Sequence, residues 1–266
     1  MRTLLINLPW REGDYRGVRA GSRWPFKSLP EADGRIHYIP FPFFLAYAAS
    51  LLKKNGKEAK IFDAIAEEAE EKICIEKIRE YDPSFIVAET STPSFYNDVR
   101  ILENIKSIFP SVRTVLCGPH ASMFPKDIMI KHNFIDYVLV GEYERSLLML
   151  IDYLEENKHL GSVPGLVYRQ GKDVKINSSY AVVEDLDDMP WPEREDVPIY
   201  RYNDGFCNLP TPNVQMWTSR GCIFNCTFCL WPQVVYREYR HRKRKVKDVI
   251  DEMEYLINRY NFKAVY

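Results

Sequence analysis

The sequence lacks an excess of either charge: 36 Lys and Arg face 37 Asp and Glu in 266 residues, for a net charge of -1. A chain so balanced exerts no overall electrostatic pull on nucleic acid. It also lacks a long apolar run. The most apolar stretch, Phe41 to Leu52, contains Pro42 and falls short of the ~20 residues that cross a bilayer. The opening Met1 to Trp10 is too short and too weakly flanked in its apolar part for a signal peptide, so a cytoplasmic location with no transmembrane segment is expected. Cysteine is sparse, six residues in all, which excludes a disulfide scaffold. No Gly-x-Gly-x-x-Gly follows the first apolar strand, so the dinucleotide fingerprint is missing. What is present, 46% apolar and 27% charged residues, is the make-up of a globular protein with room for one large or two ordinary domains.

In chain order, Thr3 to Leu8 reads as a strand buried on both faces, and Pro9-Trp10 opens a long aperiodic loop that runs to Pro40. Apolar spacing gives a helix over Phe43 to Lys54, stopped by Asn55-Gly56. Strands at Glu58 to Phe62, Ser84 to Ala88, Arg113 to Cys117 and Tyr137 to Val140 alternate with helices at Ala66 to Tyr81, at Phe95 to Phe109 with Ser94 as its cap, and from Glu142 to about Asn157. Such alternation implies an α/β fold with a doubly wound parallel sheet, Rossmann-like and flavodoxin-type, covered by helices on both faces. Ligands of such sheets sit beyond the carboxyl ends of the strands. There the sequence puts Pro9-Trp10, Thr90 to Thr92, Gly118 to Ser122 and Gly141-Glu142. A hairpin around Gln170-Gly171-Lys172 follows, and then an acidic segment from Glu184 to Asp188 with prolines at 190, 192, 198, 210 and 212, which reads as an extended linker. Cys74 and Cys117 read as small buried hydrophobes.

Arg220 to Cys229 reads RGCIFNCTFC and places three thiols, Cys222, Cys226 and Cys229, within eight positions. Thiolates so spaced converge on one metal centre without straining the backbone. Two centres are open on the residues alone. A structural zinc needs four protein ligands, with Cys207 or His241 as fourth candidates. A 4Fe-4S cluster on three cysteines leaves one iron free for a small molecule. With aromatic Phe228 before the last thiol, the loop resembles that of radical S-adenosylmethionine (SAM) enzymes. The resemblance implies that the three cysteines hold the cluster, that the amino and carboxylate groups of SAM chelate the fourth iron, and that Phe228 lies near the adenine. Reduction of the sulfonium then gives a 5′-deoxyadenosyl radical. Ile223 stands where the family often has Pro.

The resemblance widens with the turns Gly118-Pro119-His120-Ala121-Ser122 and Gly141-Glu142-x-Glu144 and with the linker Asp185-Leu186-x-x-Met189-Pro190-x-Pro192. Together with the cysteine loop they are similar to the cobalamin-binding subfamily of radical SAM proteins, with Cys117 and Tyr143 where glycines are frequent. A corrin with a nucleotide tail needs a wide apolar face, small residues and hydroxyls. Ser91, Thr92, Gly118 and Gly141 suit those needs, and Glu142, His120 and Trp10 are further cofactor-binding candidates. His120 reads equally as a turn residue making a local hydrogen bond, and Trp10 as core. The Asp-x-His-x-x-Gly loop is absent, so no histidine of the chain is expected to ligate cobalt. The resemblance divides the chain into a cobalamin-binding domain (1–160), a hairpin and Pro-rich linker (161–212), and the truncated start of a radical SAM (β/α) partial barrel (213–266). Its helix is expected over Val246 to Tyr260, with Ile250 and Ile257 among the inward residues.

The implied activity is methyl transfer by a 5′-deoxyadenosyl radical and methylcobalamin to a small-molecule or lipid-like substrate, with an external flavodoxin- or ferredoxin-type electron donor. No catalytic side chain is assigned. The alternatives are a cyclase or ring-rearrangement enzyme with the same cofactors, or a non-catalytic cobalamin and zinc module. The basic run Arg237 to Lys245 reads as a solvated face, as a grip for phosphate, or as a partner for the SAM carboxylate or the electron donor.

Overall fold

The computed structural model describes residues 1–13, 15–19, 27–28, 38–180, 182–204, 209–237 and 240–266. Most of the loop expected between Arg11 and Pro40, and Cys207, lie outside the described residues. Five parallel strands form the centre: β1 (Thr3–Asn7), β2 (Ala59–Asp63), β3 (Phe85–Glu89), β4 (Arg113–Cys117) and β5 (Tyr137–Leu139). The order is β2-β1-β3-β4-β5, the flavodoxin-type arrangement in which the winding reverses between β1 and β3. β6 (Leu166–Gln170) and β7 (Asp173–Ile176) form the expected hairpin, and β6 pairs antiparallel with β5. The hairpin therefore extends the sheet past residue 160, and the linker proper starts beyond it.

Alternating side chains feed two apolar layers. Leu5, Phe85, Val87, Val115 and Cys117 pack under α1 (Phe43–Lys54) and α6 (Glu144–Glu155). Leu4, Ile6, Ile86, Ala88 and Leu116 pack under α2 (Glu71–Tyr81), α3 (Phe95–Ile108), the short α4 (Pro119–Met123) and α5 (Pro125–Lys131). Helix α2 starts five residues later than its apolar spacing suggests, because Asp63 holds the backbone N–H groups of Ile65 and Ala66 in a turn. Ser94 occupies the position before α3, but its hydroxyl donates to Asp98 (2.7 Å) instead of capping the helix.

The second part is a short βαβ unit. β8 (Asn213–Val214) runs parallel to β11 (Ala264–Val265), with α7 (Val246–Tyr260) between them in sequence. Leu256 and Phe262 are buried with Val214 and Met216, whereas Ile250 and Ile257 face outward. The inner side of α7 instead buries Glu252, held between Arg244 (2.5 Å) and Arg194 (3.7 Å). The linker is extended but fastened at both margins. Lys53 binds Glu193 and Asp196 (2.7 and 2.8 Å), and Tyr202 donates to Asp63 (3.0 Å). On the other side Trp191 donates to Asp248 (2.9 Å), and Arg194 donates to the Gln215 carbonyl (2.8 Å).

Candidate functional site

A cavity of about 570 Å³ lies where the carboxyl ends of β3, β4 and β5 meet the segment that carries the cysteines. Glu89, Thr90, Ser91, Gly118, Pro119, Gly141 and Tyr143 form the sheet side. Gln215 to Trp217, Ser219 to Cys222, Cys229 and Tyr236 form the opposite side, and Pro40 to Phe44 close one end. The wall is strongly aromatic: Trp217 stacks on Phe43 with ring centroids 4.3 Å apart, and Trp231 stacks on Tyr236 at 5.6 Å. Gly118 is required here. Its φ is +94°, and a Cβ would lie 2.6 Å from the Thr90 carbonyl oxygen.

The cysteine loop is gathered at its base by β9 (Ser219–Gly221) and β10 (His241–Lys243), which pair antiparallel. Gly221 permits this crossing, since a Cβ on it would overlap the Arg240 carbonyl. Cys222 and Cys229 border the cavity, whereas Cys226 is exposed. Phe228 is 91% exposed at the loop tip. Among the described residues, no three His, Cys, Asp or Glu side chains are drawn together tightly enough to hold a single metal ion. His241 is exposed on β10. The donor set of three thiols on one loop suits a cluster, whose cysteines stand around a larger body than one ion.

Two glutamates and two arginines lock the loop to the sheet. Glu142 accepts two hydrogen bonds from Arg242 (2.7 and 3.0 Å) and one from the Val183 backbone N–H (3.1 Å), and lies 3.4 Å from Arg220. Arg220 also pairs with Glu144 (2.7 Å). All four are buried. Burial opposes the charge on Arg220, but Glu144 and Glu142 outweigh it and hold the group above the ordinary arginine value. Burial pushes Glu144 up, against the pull of Arg220. The Arg220 guanidinium rests on the Tyr47 ring at 4.6 Å. The rest of the basic run is also engaged: Arg240 pairs with Glu184, Lys245 with Asp187 (3.6 Å), and Arg244 with Asp248 (2.6 Å). The run is thus split: Arg242 and Arg244 are buried against Glu142 and α7, while Arg240, His241, Lys243 and Lys245 form a solvated face.

At the switch point, Arg19 binds Asp98, the Asn7 side chain (2.6 Å) and the Leu8 carbonyl (2.7 Å). Asp98 also accepts from Thr90 (2.8 Å) and Ser94 (2.7 Å). Burial raises its pKa while Arg19 and the hydroxyls pull it down. Beside it, Asn7 donates to Asp63 (2.9 Å), whose carboxyl burial also raises. Neither Arg19 nor Asp98 stands out in the sequence, because the two lie 79 positions apart.

Of the residues singled out from the sequence, Ser91, Gly118, Gly141, Cys222 and Cys229 come together on one cavity. Glu142 is turned to arginines behind it. Thr92 and His120 stand outside, 3.1 Å apart, with His120 tilted over Phe95 at 4.0 Å; burial lowers the histidine pKa. Trp10 is buried against Gly17 and lines a separate small crevice with Arg16 and Ile65.

The cavity fits a ligand with a wide apolar face and a polar rim. The Tyr143 hydroxyl and Arg220 Nη2 are buried without a hydrogen-bond partner on residues that line it, and such atoms call for a ligand or water. Residues 34–151 match the B12-binding domain family. An uncharacterized methyltransferase of Pyrococcus horikoshii is 29% identical over 225 residues, 84% of this chain and 47% of that protein. An anaerobic magnesium-protoporphyrin IX monomethyl ester cyclase of Cereibacter sphaeroides is 27% identical over 231 residues, 82% of this chain and 36% of that protein. The chain thus spans less than half the length of these two relatives. The solved structure of the cobalamin-dependent S-adenosylmethionine radical enzyme OxsB, with aqua-cobalamin and S-adenosylmethionine bound, has the same fold over 98% of this chain and 32% of that one, with a TM-score of 0.75 at 18% identity. With a match to the B12-binding domain family on one side of the cavity and a Cys-x3-Cys-x2-Cys loop on the other, the chain is similar to cobalamin-dependent radical SAM enzymes.

Proposed function

We propose that this chain is the cofactor-holding part of a radical SAM methyltransferase that uses cobalamin, a 4Fe-4S cluster and SAM. One observation carries the reading: Ser91, Gly118 and Gly141 share a single cavity with Cys222 and Cys229. When bound, the cluster with SAM supplies a 5′-deoxyadenosyl radical and cobalamin supplies a methyl group. The chain's own residues do the rest. Cys222, Cys226 and Cys229 hold the cluster, and Phe228 covers the adenine. Gly118 and Gly141 let the corrin approach the backbone, and Ser91 meets its polar edge. Glu142 acts from outside the cavity wall by fixing the loop, and Thr92, His120 and Trp10 take no part in the cavity. Phe43, Phe44, Trp217 and Trp231 exclude water from the reacting region, which strengthens every polar contact inside.

The substrate is a small molecule, of lipid-like character in one variant of the reading. The electron donor is an external flavodoxin or ferredoxin, and the enzyme works in the cytoplasm. No helix among the described residues is long and apolar enough to cross a membrane. The cyclase-like relative favours a second reading, cyclisation or rearrangement with the same cofactors.

Anaerobic reconstitution tests the cluster: about four iron and four sulfide per chain are expected, whereas one tight zinc without sulfide leaves a non-catalytic module. Titration with hydroxocobalamin tests the first domain. Methyl-labelled SAM, given to the enzyme with candidate substrates, separates the two reactions, since only methyl transfer leaves label in the product.

A further inference from the structure

Glu89 is the last residue of β3, beside the point where the sheet reverses, and it borders the cavity. Its stem lies against Gly118, whose absent side chain leaves the room: a Cβ there would be 2.8 Å from Glu89 Cγ. The neighbouring carboxylates all have partners. Asp98 has Arg19, Glu142 has Arg242, Glu144 has Arg220, and Asp63 has Asn7 and Tyr202. Glu89 alone in this group has neither an ion pair nor a hydrogen-bond donor among the described residues.

Four titratable or charged groups face it: Arg19 from the loop after β1, Cys117 from β4, Tyr143 from the turn before α6, and Glu144 from α6 itself. Burial raises the Glu89 pKa, Arg19 opposes and Glu144 adds, and the carboxyl titrates at about 7. An ionised carboxylate only accepts hydrogen bonds. A cationic ligand would meet Arg19 on the same wall. Neutral N–H donors satisfy the carboxylate without that repulsion, and such charge-assisted bonds are strong.

We propose that Glu89 accepts the N–H groups of a carboxamide-bearing ligand in this cavity, which are the amide arms of the corrin; the assignment rests on the cobalamin reading above. Glu89 is then a ligand-positioning residue that links corrin affinity to pH.

The test is the binding of methylcobalamin to the full chain, read by quenching of tryptophan fluorescence, since Trp217 and Trp231 line the cavity. Binding to the ionised form makes affinity follow the ionised fraction, so Kd is expected to tighten about ten-fold from pH 6 to pH 8. Glu89→Gln should flatten this dependence to within about two-fold. Glu89→Leu should weaken binding at pH 8 by about ten-fold, with the unfolding temperature of the empty protein no lower than wild type, because no internal bond is lost. A wild-type profile that is flat, a Glu89→Gln profile that tracks wild type, or full affinity in Glu89→Leu overturns the assignment and leaves the cobalamin reading standing. Absence of methylcobalamin binding to wild type at every pH overturns both.

Discussion

Replacing Glu142 by glutamine takes from the buried Arg242 the carboxylate that accepts its two hydrogen bonds, and leaves Arg220 with Glu144 as its ion-pair partner among the described residues. In the native protein Arg242 makes two hydrogen bonds to Glu142, at 2.7 and 3.0 Å, and Arg220 lies 3.4 Å away. All three side chains are at most 4% exposed, so solvent does little to screen the loss. Removing one partner of a buried pair costs about 3–5 kcal/mol, mostly because the other charge stays uncompensated. With a urea dependence of about 2–3 kcal/mol per molar, the unfolding midpoint should fall by about 1–2 M. The assay is urea unfolding followed by tryptophan fluorescence, which reports on Trp217 and Trp231 at the junction. The double variant Glu142→Leu with Arg242→Met removes both charges, leaves Arg220 with Glu144, and should recover to within about 1 kcal/mol of wild type. A Glu142→Gln midpoint within about 0.3 M of wild type, or a double variant no better than the single one, refutes the clamp.

Three further outcomes are expected. Gly118→Ala forces a Cβ to 2.6 Å from the Thr90 carbonyl at φ +94°; hydroxocobalamin titration should show binding weakened at least ten-fold, with a stability loss of about 1–3 kcal/mol from backbone strain. Cys226→Ala should abolish thiolate-to-iron absorption after anaerobic reconstitution yet leave hydroxocobalamin binding within about two-fold, because Cys226 is exposed and does not border the cavity. Glu89 has a folded pKa of about 7 against an ordinary 4.5, so the native state binds its proton more tightly than the unfolded one. The stability of the empty protein should therefore fall as pH rises from about 4.5 to 7, and chemical denaturation across that window should show a smaller fall in Glu89→Gln.

The sheet was legible because each strand is a short apolar run bounded by polar turn residues, and the bounds of β4, α1 and α7 agree with periodicity to the residue. The cysteine loop was legible because its spacing is local. The clamp was not. Glu142 lies 78 and 100 positions from Arg220 and Arg242, and a basic run with an acidic linker carries no register that tells which charge meets which. The inner side of α7 misled for a related reason: Glu252 outranks Ile250 and Ile257 there because two arginines from elsewhere neutralise it. Glu89 reads as a strand end with one polar residue, and only the shape of the cavity distinguishes it.

A proline-rich segment usually gives two bodies freedom to swing. Here rungs run from it to α1 and β2 on one flank and to α7 on the other, so the gap between sheet and cysteine loop has a width set in advance. Loosening the rungs at Lys53 or Arg194 would widen the berth without touching a single wall residue.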